Sequence, residues 1–203
     1  MKKIISLLLL SFGLFLFSCS NDDDPSSDAP TSTIDKIIPK EIRVQLEKHI
    51  TFYTGENPPF IEGEYKIDKC SAVFCSDNNF EPGEEVSAMM IKFFNQNLTT
   101  NKLDYASKSA GSYQTAGIGG YISGGGNNFT ALMVVKGTSH DVPTKEGIVI
   151  SGTLTDEGIK NIRYAFVMIE KGKDPYHQVM EAGVFRVFED KDGMAVCTYK
   201  PKK

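Results

Sequence analysis

Beyond residue 60 the apolar positions of this chain fall in short blocks, separated by clusters of Gly, Pro, Asn and Asp. The blocks read as strands over 63–74, 86–95, 101–109, 120–123, 128–136, 147–155, 161–170, 183–189 and 194–199. The breaks are Asp77-Asn78-Asn79 with Pro82-Gly83, Gly124-Gly125-Gly126-Asn127, Asp141 to Lys145, Asp156-Glu157-Gly158 and Asp190-Lys191-Asp192-Gly193. Ile150 and Leu154 alternate with Ser151, Thr153 and Thr155, the pattern of a strand wet on one side. The segments 128–136 and 164–169 are apolar on both faces, so a second layer should cover one of them. Ahead of the strands the period changes. Ile42, Leu46 and Ile50 recur at four-residue steps with charges between them, and Pro39 suits a first helical turn. A helix over 39–50 is marginal alone and must pack on the strands. Thr54 to Pro59 then stops it and enforces an extended approach to Phe60-Ile61. A second short helix is expected over 175–182, with Gly183 as its stop. Together these elements predict an all-β domain, an antiparallel meander of about eight strands closing into a barrel behind a short N-terminal helix. A β-sandwich is the alternative.

The first residues follow another pattern. Lys2 and Lys3 precede an apolar run from Ile4 to Phe17, too short for a stable membrane span of roughly 20 residues and shaped like a secretory signal. It ends in Leu16-Phe17-Ser18-Cys19, which resembles a bacterial lipobox, in which the cysteine is acylated and becomes the mature N-terminus. The tract Ser20-Asn21-Asp22-Asp23-Asp24 resembles the export signal of surface lipoproteins in Bacteroidetes. These resemblances imply lipid attachment at Cys19, an outer-membrane location and exposure at the cell surface. Residues 25–33 are rich in Ser, Thr, Pro and Asp and cannot bury a core. The expected organisation is a signal peptide over 1–18, an acidic tether over 19–35 and one domain over 36–203.

Charge excludes one class of partner. The chain carries 22 basic and 26 acidic residues, and the expected signal removes two of the basic ones. Arg43, Arg163 and Arg186 are its only arginines, so nucleic acid, which needs clustered cations, is not an expected partner. With Cys19 taken by lipid, Cys70, Cys75 and Cys197 remain, an odd number. A Cys70–Cys75 bridge needs a bulge between them, because positions five apart in a strand face opposite sides. Buried core thiols are the other reading.

Candidate chemistry is sparse. The glycine-rich run 117–126 lacks the spacing of a phosphate loop and leads into a strand, so a bent hairpin explains it better. His49, His140 and His177 lie in different segments and form no ligand motif, so no metal and no cofactor is expected. There is no Gly-x-Ser-x-Gly elbow, Ser151 is mid-strand, and the pairs Glu84-Glu85 and Asp156-Glu157 sit in turns. No catalytic residue is assigned. Sugar platforms favour Trp, which is absent, and Tyr53, Phe60, Tyr113 and Tyr121 read as packing residues.

One segment carries a fold resemblance. A short helix, an irregular entry and then Ile61-Glu62-Gly63-Glu64-Tyr65 heading the first long strand resembles the opening of lipocalins and related calycin barrels. Those begin with a helix and a Gly-x-Trp that closes the barrel floor beneath an arginine from late in the chain. The resemblance implies that Gly63 and Tyr65 match Gly-x-Trp and that Arg186 covers Tyr65 as a floor pair. More broadly the chain looks like a Bacteroidetes surface lipoprotein with a lipocalin-like domain. If the barrel is hollow, alternation offers Met89, Ile91 and Phe93 on one strand and Tyr164, Phe166 and Met168 on another as cavity lining. The expected function is binding of an apolar or amphipathic small ligand. The alternative is a structural or partner-binding surface protein, an accessory of glycan or nutrient uptake, and the sequence names no protein partner.

Overall fold

A computed structural model describes residues 35–109 and 114–201. The expected signal peptide, Cys19 and nearly all of the tether lie outside the described residues, as does Tyr113.

The chain enters through helix α1 (Lys40–Leu46) and a two-residue strand β1 (Glu56–Asn57), followed by β2 (Gly63–Ile67), β3 (Cys70–Cys75), β4 (Met89–Asn97) and β5 (Lys102–Ser109). Next come β6 (Gln114–Gly125), β7 (Asn128–Ser139), β8 (Val142–Leu154), β9 (Gly158–Lys171), β10 (Phe185–Asp190) and β11 (Met194–Tyr199). Neighbours run β11-β2-β4-β5-β6-β7-β8-β9, and β9 pairs back to β11. This is an eight-strand antiparallel sheet closed in a ring, so the sandwich alternative falls.

Two members of the ring are interrupted strands. Along β9, residues 185–189 pair with 167–163, and after a turn residues 194–196 pair with 160–158. β10 and β11 are thus one strand broken by the turn that starts at Asp190, and β2 and β3 form a second one broken at Asp68-Lys69. Asp190 holds both breaks together. It is 4 % exposed, and its carboxylate accepts hydrogen bonds from the amides of Asp68 (3.0 Å) and Asp192 (2.9 Å). Asp190→Ala orphans both amides, so unfolding stability should fall by about 2–3 kcal/mol, read as a shift in the urea midpoint.

Closure also fixes a glycine. Gly158 has φ +157°, and a Cβ there would overlap the carbonyl oxygen of Ala195 on β11, where the ring shuts.

Several elements differ from expectation for physical reasons. β6 extends well beyond 120–123, because its glycines mask a strand: Met133 and Val135 of β7 occupy the space where side chains at 117 and 120 would go. The break expected over 141–145 shrinks to His140-Asp141, both with positive φ, joining Ser139 to its partner Val142. The helix is shorter than 39–50, with Pro39 at its N-cap position, and ends in turns down to Ile50. The helix expected over 175–182 is absent. Asp174 instead accepts the amides of Gln178 and Val179, and these side-chain bonds compete with helical ones.

Packing is two-layered. Tyr65, Phe93, Tyr105, Phe129 and Ile122 fill the barrel interior. Outside, Ile38, Leu46 and Ile50 cover Leu132, Val149, Ala165, Val167, Phe185 and Val187, which explains why 128–136 and 164–169 are apolar on both faces. The pairing of β10 with β3 slips opposite Phe74 and Ala72, and this bulge puts Cys70 and Cys75 in the same interior cluster. Both are free thiols, as is Cys197, and no bridge joins them. Burial, with the Asp190 carboxylate adding to it, pushes the Cys70 thiol up to about 12.

Candidate functional site: the open mouth of the barrel

The two ends of the barrel are built differently. At one end the segment 53–62 crosses the ring and is tied down. The Gln96 side chain accepts from the Ile61 amide (2.8 Å) and donates to the Pro59 carbonyl (2.9 Å), while the amide of Tyr53 donates to Thr130 Oγ1 (2.7 Å). Tyr65 lies just inside, fully buried, its hydroxyl donating to the Ile61 carbonyl at 3.0 Å. Burial pushes that phenol well above its ordinary value. Phe93 meets Tyr65, Tyr105 and Phe129 with ring centroids 6.2, 5.9 and 6.3 Å apart, which completes a solid floor.

The other end is hollow. A cavity of about 720 Å³ opens between the strands and two loops, 76–88 and 172–184. One wall is aromatic: Phe166 of β9 stacks on Phe188 of β10 at 5.8 Å with planes 7° apart. Tyr164 continues the row at 6.4 Å from Phe166, and Phe80 of the first loop meets Phe188 edge-on at 6.2 Å. Strand pairing produces this wall, since β9 and β10 alternate in register and send the same phase inward. The Tyr164 hydroxyl lies 3.3 Å from that of Tyr105, at the boundary between cavity and packed core. Met89, Met168, Met180 and Val179 supply further apolar lining, while Ser107, Ser109 and Glu146 supply polar groups.

Each loop is pinned by charge. Arg186 grips Asp77 through Nη2 (2.5 Å) and Nε (3.2 Å), and its guanidinium lies 5.2 Å from the ring centre of Phe80. Partial burial pushes the Asp77 carboxyl upward, but the Arg186 hydrogen bond and charge outweigh it and hold the group below its ordinary range. Ser76 reinforces this loop by exchanging hydrogen bonds with Phe185. In the second loop, Lys171 Nζ donates to Glu181 (2.6 Å), Asp174 (3.2 Å) and the Val179 carbonyl (3.3 Å).

Asp174 is held down to about 2, first by the Gln178 amide and then by the Val179 amide and Lys171. Its folded value lies below its unfolded one, so its contribution is present above pH ~4 and is lost as pH falls from there through about 2. Hydrogen exchange should therefore show the Gln178 and Val179 amides protected at pH 5 and markedly less protected near pH 2, relative to strand amides of β7. Equal retention in both places would contradict this pinning.

The structure sorts the expected site residues. Met89, Tyr164, Phe166 and Met168 all face the cavity. Ile91 and Phe93 do not: they share Met89's face but lie deeper, 0 % and 1 % exposed, where the large rings leave no room. Tyr65 and Arg186 form no floor pair. Tyr65 sits at the closed end, whereas Arg186 pairs with Cys75 about ten residues, or roughly 30 Å, further along the interrupted strand. The cation–aromatic contact expected of Arg186 is made with Phe80 instead. Asp77, Phe80, Glu146 and the 177–181 segment were not expected at the site. The one sequence signal was an isolated Phe80 inside a turn-rich break. His49 stacks on Phe74 at 4.2 Å outside the barrel, while His140 and His177 stand at the mouth. Among the described residues no group of three or more His, Cys, Asp or Glu is placed to hold a metal ion.

The chain matches no known family model, no curated protein and no solved structure.

Proposed function

We propose that the barrel mouth binds a small amphipathic ligand, and that the domain does so as a lipoprotein held at the outer membrane through Cys19 and facing the cell surface. The observation that carries the binding role is the contrast between a packed floor and a cavity of about 720 Å³ walled by Tyr164, Phe166 and Phe188. That volume falls within the range of small-molecule sites, and the mix of apolar wall with a few convergent polar groups is their usual composition. Met89, Met168 and Met180 add flexible, polarisable contacts that adapt to an acyl or aryl body.

The anchor follows from Lys2 through Cys19 and the acidic residues after it. Two or three acyl chains hold such a domain on a bilayer, each buried methylene contributing about 0.8 kcal/mol. Cys19→Ala should move the protein out of the membrane fraction, and retention there would defeat the anchoring role.

The binding role is tested with the unlipidated chain from residue 20, purified without detergent. The chain contains no Trp, so Phe166→Trp installs a single reporter in the wall. Native mass spectrometry should show an extractable small molecule, and its addition to stripped protein should shift the reporter's emission. A ligand-free spectrum together with emission unmoved by any C10 amphiphile would reject the reading in favour of a structural or partner-binding surface protein.

A further inference from the structure

We propose that the outer face of β4 to β7, toward the mouth end, docks on the phosphate-bearing headgroups of a bilayer. The inference rests on the membrane location proposed above and is independent of a ligand in the mouth.

Strand register builds this surface. Lys92, Ala106, Ala116 and Lys136 stand opposite one another on the four successive strands β4 to β7. The two central residues are alanines, so the row dips and leaves a trough of about 410 Å³, with Met90 and Lys108 on its mouth side. Strands lie about 4.8 Å apart, which puts the backbones of Lys92 and Lys136 roughly 14 Å from each other and Lys108 about 7 Å along from Ala106. All three lysines are exposed. Glu64 also lines the trough, and it pairs with Lys92 at 3.1 Å. Among the described residues neither Lys108 nor Lys136 takes part in a salt bridge. A chain with a formal net charge of −4 thus carries a local cationic surface here.

Two observations favour a bilayer over a dissolved anion. Ile118, two residues along β6 from Ala116, is 86 % exposed, and Met90 lies in the trough. Lysines around a protruding apolar side chain match a headgroup layer, which takes charge at its phosphates and apolar atoms just beneath. The tether also joins the domain at the edge of this face. Ile37 and Ile38 lie over Gly147 of β8, two residues from Lys145, which is paired with Lys136. Each lysine near an anionic surface strengthens binding about fivefold, so three of them orient the domain while the acyl chains hold it.

The test uses the unlipidated chain from residue 20 and vesicles of phosphatidylcholine, with or without about one-third phosphatidylglycerol, sedimented at low salt. The anionic vesicles should bind about tenfold or more tighter than the neutral ones. Lys92→Gln, Lys108→Gln and Lys136→Gln together should remove most of that preference. Lys48→Gln, Lys160→Gln and Lys173→Gln, at exposed positions elsewhere on the domain, change the net charge equally and should cost less than about threefold. Ile118→Trp supplies a reporter on the face itself. Its emission should shift to the blue on anionic vesicles, and that shift should vanish when the three trough lysines are replaced.

Equal losses in the two triple variants would overturn the inference, as would equal binding to both vesicles or an unmoved Ile118→Trp emission. Displacement by inorganic phosphate at constant ionic strength would assign the trough to a small anion instead. A lysine effect that emerges only after Asp22→Asn, Asp23→Asn and Asp24→Asn would assign it to the chain's own acidic tract. Cys19→Ala, fractionated from cells at physiological salt, reads the acyl anchor separately, so failure with vesicles overturns the docking face and leaves the anchor standing.

Discussion

Gly158→Ala should cost the protein about 3 kcal/mol or more and lower its thermal midpoint by several degrees. Two costs meet at this residue. Its φ of +157° lies where side chains with a Cβ rarely go, and the added methyl would overlap the Ala195 carbonyl oxygen. That carbonyl is backbone, so no side-chain rotation relieves the overlap. β11 must move away from β9, and the pairs Met194–Lys160, Ala195–Ile159 and Val196–Gly158 are the ones through which β11 shuts the ring. A control separates closure from general fragility. Gly83 also has positive φ, but a Cβ there meets nothing within 4 Å, so Gly83→Ala should cost only about 1 kcal/mol of backbone strain. Equal costs at the two positions would mean that the β9–β11 seam is not what holds the ring.

The second large effect is expected at the floor. Phe93→Ala should destabilise by about 3–5 kcal/mol, the range for deleting a buried aromatic ring. Phe93 is 1 % exposed and meets Tyr65, Tyr105 and Phe129, so no neighbour can collapse fully into the gap. Its removal should also deepen the cavity from below, because the Tyr105–Tyr164 contact marks the cavity's lower boundary. A longer ligand body should then fit, and affinity for C12 over C10 amphiphiles should rise in this variant relative to the native chain. Phe166→Ala lies in the cavity wall, where Phe166 is only partly buried. It should cost less stability and weaken all amphiphiles together. If the two variants behave alike, floor and mouth are not the separate layers described above.

Periodicity made the strands and their faces legible, but not depth along the barrel axis. Met89, Ile91 and Phe93 share a face by two-residue alternation, yet only the first reaches the cavity. Which of them does so depends on where bulky rings from β2, β5 and β7 meet, and that is set by partners distant in sequence. Arg186 shows the same limit. Its strand was readable, but its end of the barrel depends on how β10 and β11 share one partner across the Asp190 turn. Turn-rich segments hid the remainder. Asp77 and Phe80 look like ordinary loop residues until Arg186 closes over both. In β6 the glycines that signal a bend also suppress the apolar pattern, although Gly117 and Gly120 are buried strand positions crowded by Met133 and Val135. The outer layer was the clearest reading: a segment apolar on both faces required a cover, the helix over 39–50 had an apolar face to supply it, and it packs over both such segments.

The barrel is a ring of sheet that is packed solid at one end and hollow at the other. Methionine methyls, labelled with carbon-13 in the unlipidated chain, report on both ends in one spectrum. Met89, Met168 and Met180 line the cavity, Met133 is buried in the core, and Met194 lies on the far strand β11. Titration with a C10 amphiphile should shift the first three signals in parallel and leave Met133 and Met194 in place. Shifts at Met133 or Met194 without shifts at the mouth, or no shift at any methionine, would contradict the account.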